Sequence, residues 1–134
     1  MEKTFAKSLG ALDGVFDFLD EFVDAEAIGE RDAFVIDLVV EELFTNMVKY
    51  SGGVDRNVAI RIKRNDHQLI LELTDFDSEP FDLADAKPVD VDAPVANRQP
   101  GGLGIHIVKT MVDELRYEMD ERTLTVSVRK TLES

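Results

Sequence analysis

The segment EELFTNMVKY, residues 41–50, spaces Glu42, Asn46 and Tyr50 at i, i+4 and i+8, which aligns them along one face of a helix. A carboxylate and an amide one turn apart can hold Mg²⁺ together with its waters. Such a carboxylate can also take a proton from an incoming hydroxyl. The same spacing equally suits solvated Glu41 and Glu42 with Asn46 bonded to nearby backbone. A second candidate is Asp75 in LELTDFDSEPFD, which continues the phase of Leu71 and Leu73 and so projects to the core face of a strand. A carboxylate there needs a donor, and the exocyclic amine of a purine would serve; a strand-ending Asp turning into a loop is the other reading. Third, RQPGGLGIHIVKTMVDELRY sets Gly101, Gly102 and Gly104 ahead of an amphipathic helix. Bare backbone and a helix N-terminus favour an anion. The stretch matches neither the P-loop nor the dinucleotide fingerprint, so alone it also reads as a plain helix start.

Composition narrows the chemistry further. The 134 residues carry 28 acidic and 15 basic side chains, a formal charge of −13, and no cysteine. Disulfides, thiolate metal sites and cysteine nucleophiles are excluded. With no cluster of Lys and Arg, direct nucleic-acid binding and attachment to anionic membranes are not expected. An anionic ligand would need local donors, a few cations or a metal ion. The N-terminus lacks the order of a signal peptide and no run is long enough for a membrane span, so a cytoplasmic protein is expected.

The elements that must position these residues follow from periodicity. Leu9, Leu12, Val15, Phe16, Leu19, Phe22 and Val23 predict an amphipathic helix capped by Ser8 and ending near Ala27. Its acidic residues in FDFLDEFVDAE form the solvated face. A second helix from about Glu30 to Tyr50 is apolar on much of its circumference, Phe34 included, and is expected to be central. Alternation predicts strands at 57–64 and 68–75 joined through Asn65, Asp66 and His67, and a further pair around Asp120 to Arg122. A short strand at Lys3 to Phe5 is also compatible. Residues 76–100 carry all four prolines and no pattern, a length of loop that is usually functional. The expected architecture is α+β: a two-layer α/β sandwich with helices on one face of a mixed, mostly antiparallel sheet, in a single domain spanning 1–134.

In this order and spacing the three stretches resemble the GHKL superfamily of ATP-binding domains, the Bergerat fold, and more narrowly the anti-sigma factor serine/threonine kinases. The resemblance runs from the helix at Ser8 through the last strand. It implies Glu42 as catalytic base, Asn46 as Mg²⁺ ligand and Asp75 as the adenine contact. Gly101, Gly102, Leu103 and Gly104 would face the phosphates of ATP, Arg98 or Lys109 would offset charge on the transferring group, and 76–100 would form the ATP lid. In place of the family's Asp-x-Gly stands Asp75-Phe76-Asp77, so Asp77 occupies the glycine position beside the adenine contact. Anchoring instead on Pro80-Phe81-Asp82 would put Phe76 at the aspartate; strand phase selects Asp75. The implied partners are a STAS-domain anti-anti-sigma protein as substrate, a sigma factor or other regulator as alternate partner, and a second copy in a homodimer.

His67 and His106 lack companions at metal-ligand spacing and read as structural or solvated. Two rivals remain beside the kinase. One is a non-catalytic module that sequesters a partner with or without nucleotide, which Asp77 favours. The other is the catalytic half of a histidine kinase, suggested by NMVKY but lacking a dimerising helix pair with an acceptor His.

Overall fold

The computed structural model describes residues 1–49, 57–76 and 102–133, with 102–106 described by their backbone alone. In chain order these form β1 (Glu2–Ala6), a short 3-10 turn (Leu9–Ala11), α1 (Leu12–Ala25), α2 (Glu30–Lys49), β2 (Asn57–Asn65), β3 (Gln68–Asp75), α3 (Gly102–Met111), β4 (Glu114–Asp120) and β5 (Thr123–Thr131). The strands make a five-stranded sheet ordered β1-β2-β3-β5-β4. Among the described residues every pairing is antiparallel, so this sheet is not mixed.

Alternation along the strands becomes a set of rows across the sheet. Ile60, Leu73 and Val126 stand opposite one another, as do Ile62, Leu71 and Val128. All six are buried, and they merge with Val15, Leu19 and Phe22 of α1 and Ile36, Leu43 and Phe44 of α2 into one core. Each such side chain contributes about 1.5–3 kcal/mol on burial. The opposite face carries Arg61, Glu72, Ser127 and Arg116 and is at least partly open to solvent. Both hairpins turn through two residues, with Asp66 (φ 57°) and Glu121 (φ 55°) in the left-handed region that a short polar side chain tolerates better than a long one.

Two local expectations change. Ser8 precedes the 3-10 turn and makes no side-chain cap; α1 starts at Leu12, and Leu9, outside it, is exposed. Phe34 is 64% exposed, because it lies about half a turn away from Ile36, Leu43 and Met47 around α2. As its periodicity predicts, α1 ends just before Ala27, which makes the stop. Ala27 adopts φ 52°, and the N–H of Ile28 returns to the carbonyl of Val23 at 2.9 Å. No helix among the described residues is long and apolar enough to cross a membrane.

Candidate active site

α2 organises the expected site. It packs on β3, whose last residue is Asp75, and on α3, whose first is Gly102. Glu42 and Asn46 are half-buried on one flank of α2, at the border of the stripe formed by Ile36, Val39, Leu43 and Met47. On the opposite flank Asp37 meets α1. Partial burial, then the charges of Asp20 and Glu41, push its carboxyl above the ordinary value of 3.8. The helix thus turns one acidic edge to α1 and keeps the carboxylate–amide pair on the other.

Asp75 ends β3 on the core face, between Val58 of β2 and Leu124 of β5. It is 1% exposed, and its Oδ1 accepts from the ammonium of Lys7 at 2.9 Å. Lys7 belongs to no recognisable motif. Its signal is strand phase: it follows Phe5 by two residues and therefore shares that residue's inward face.

Gly102 and Gly104 open α3 with Leu103 between them, and the first-turn N–H groups of a ten-residue helix, which have no partner within the helix itself, are of the kind that suits an anion. Lys109 sits in the last turn of α3, about 10 Å along the axis from Gly102, where it complements the negative end of the helix dipole. Tyr50, Asp77, Arg98 and Gly101 lie outside the described residues, as does the expected lid beyond Phe76. His67 is exposed in the β2–β3 turn, and its carbonyl accepts from Leu132.

Among the described residues no three His, Asp or Glu side chains converge as a metal cage. A single amide with a neighbouring carboxylate fits the alternative, an Mg²⁺ ion that keeps its waters and takes its other ligands from phosphates. A depression of about 590 Å³ lies elsewhere, along β4 and β5, lined by Ile70, Glu114, Arg116, Thr125, Ser127 and Arg129.

A second buried carboxylate, Asp32, lies in the first turn of α2. It accepts the N–H of Glu133 at 2.9 Å and faces Lys130 at 3.8 Å, fastening the end of β5 to the helix. Tyr117 on β4 stands opposite Val126, and its burial pushes the phenol up to about 12.

The helix carrying Glu-x-x-x-Asn therefore packs against the strand that ends in a buried Asp and against the helix that opens on glycine. The profile of the histidine kinase-like ATPase domain matches residues 5–130. The chain belongs to that family. Within it, a serine-protein kinase, RsbW of Bacillus licheniformis, is 28% identical over 100 residues, covering 71% of this chain and 62% of the relative, so just under two thirds of that protein's length is matched. Among solved structures, the RsbU and RsbW domains of Rv1364c from Mycobacterium tuberculosis align over 98% of this chain and 32% of theirs, at TM-score 0.69 and 15% identity. The SiaB–SiaC complex of Pseudomonas aeruginosa aligns over 98% and 88%, at TM-score 0.68 and 16% identity. The histidine kinase AdeS of Acinetobacter baumannii aligns over 100% and 68%, at 0.57 and 14%. At such identities these structures establish a shared histidine kinase-like ATPase fold.

Proposed function

We propose that this ATPase-domain protein is a serine/threonine kinase of the anti-sigma factor type, which phosphorylates a STAS-domain protein and acts by partner switching in the cytoplasm. The observation that carries the reading is the half-buried Glu42–Asn46 flank of α2, on the helix that packs both the Asp75 strand and the glycine-opened α3. Similarity to a serine-protein kinase supports it.

Mg-ATP would supply the γ-phosphoryl group, with the metal offsetting charge on the phosphates. Asn46 would contribute a protein ligand to the metal. Glu42 would orient the hydroxyl of an incoming serine or threonine and accept its proton as the oxygen–phosphorus bond forms and ADP departs. Asp75 would accept from the 6-amino group of adenine, and the first-turn N–H groups of α3 would bind phosphate oxygens. Arg98, and Lys109 if its long side chain reaches back along α3, would add positive charge to a chain of net charge −13. Residues 76–100 would close over the nucleotide.

The test is incubation with Mg-ATP and a candidate STAS protein, followed by mass spectrometry of partner serines and threonines. Glu42→Gln should lower transfer by about 10²–10⁴-fold while ATP binding is retained. Full transfer by that variant removes Glu42 as the base. A second reading, a regulator that sequesters its partner without phosphorylating it, is favoured by Asp77 at the usual glycine. Nucleotide binding with no phosphate on any partner would select it, and thermal stability indifferent to Mg-ATP would select its nucleotide-free form.

A further inference from the structure

Lys7 lies immediately beyond β1, in register past the Phe5–Val58 pair, and reaches along the core face to the carboxylate that follows Val58 in the same row. Its Nζ donates to Asp75 Oδ1 at 2.9 Å, and both side chains are only 1% exposed. Lysine is rarely buried to this degree unless it is paired. Here the pairing is with the one residue whose direction decides how a base would be read.

We propose that Lys7 is a positioning residue for the nucleotide: by anchoring Oδ1 it sets the plane of the Asp75 carboxylate, so that the group presents an acceptor to the 6-amino group of a purine. This rests on the reading of Asp75 as the base contact. The terminal torsion of an aspartate is broad and roughly two-fold, so a short hydrogen bond to one oxygen narrows the directions in which the carboxylate offers its acceptors. A hydrogen bond between two charged groups is short and directional, and fixing one oxygen fixes the other. Lys7 also compensates the burial of the carboxylate, which unpaired would be strongly unfavourable. The N-terminal strand thereby becomes part of the nucleotide site, although none of the expected site residues lies on it.

The experiment compares affinities for ATP and for purine riboside triphosphate, which carries hydrogen in place of the 6-amino group, in the wild type and in Lys7→Met. The wild type should prefer ATP by about tenfold or more, the range of a hydrogen bond to a charged acceptor. Lys7→Met should lose that preference to within about twofold. If Lys7 only supports the fold, the variant will bind both nucleotides more weakly by the same factor and keep the preference, which overturns the proposal. A wild type with no preference overturns the base-contact reading itself, and Lys7 with it, before any variant is made. Should Lys7→Met fail to fold, Lys7→Gln replaces it, since its uncharged amide is one bond shorter than lysine and cannot hold Oδ1 at the same place; an undiminished preference in Lys7→Gln overturns the proposal, and a reduced one supports it.

Discussion

Two aspartates are buried among the described residues, and each has a lysine beside it, yet the two pairs are built differently. Asp32 accepts the N–H of Glu133 and faces Lys130 at 3.8 Å, with the lysine side chain 13% exposed. Asp75 is met by Lys7 at 2.9 Å, with both side chains at 1%. The first carboxylate is spent on backbone at the close of the chain, and its lysine can reach toward water. The second holds an ammonium deep in the fold, at the strand end where the proposed base contact lies. A buried carboxylate is therefore not by itself a functional marker; what it holds, and how tightly, separates a fastening from a site.

The sharpest way to break this comparison is to remove each lysine or carboxylate and measure stability by urea denaturation. Lys7→Met removes the ammonium that donates to the buried Asp75 at 2.9 Å, and should cost about 3–5 kcal/mol. Replacing both partners, as Lys7→Met with Asp75→Leu, should recover most of that loss, since a well-packed apolar pair often equals a buried ion pair. The double variant should nonetheless bind ATP no better than the single. Recovery of both stability and binding would make the pair a fastening like Asp32. For Asp32→Asn the expected cost is smaller, about 1–2 kcal/mol, because an amide oxygen can still accept from Glu133 and Lys130 can turn to solvent. Nucleotide affinity should not change in that variant; a tenfold loss would join the two ends of α2 functionally.

The same contrast explains what the sequence could disclose. Residues such as Val58, Ile60 and Ile62 announce a strand because a sheet covered on one face repeats every two residues, and Glu42 and Asn46 share a flank because a helix repeats every 3.6. Local order is legible in local pattern. Pairing of β3 with β5, and hence a wholly antiparallel sheet, joins distant segments and leaves no periodic trace. Lys7 is hidden for the same reason: its partner lies 68 residues away. Phe34 shows the converse failure, since counting apolar residues on a helix does not say which way each one points. Ser8 has the composition of a cap, but the 3-10 turn moves the start of α1 beyond its reach.

The smallest effect falls on the carboxylate that has acidic neighbours instead of a lysine. The Asp37 carboxyl is raised above 3.8 by partial burial and by Asp20 and Glu41. The folded state therefore holds this proton more firmly than the unfolded chain does. Stability contributed at this position falls as pH rises from 3.8 through the raised value, and stays low above it. Asp37→Asn removes the like charge one turn from Glu41, so at pH 7 it should stabilise by about 0.2–0.5 kcal/mol. That is a rise in Tm of roughly 1–3 °C. At pH 3, where the wild-type carboxyl is protonated in both states, the gain should vanish. A gain that persists undiminished in acid would mean that packing, and not charge, sets the difference at this flank of α2.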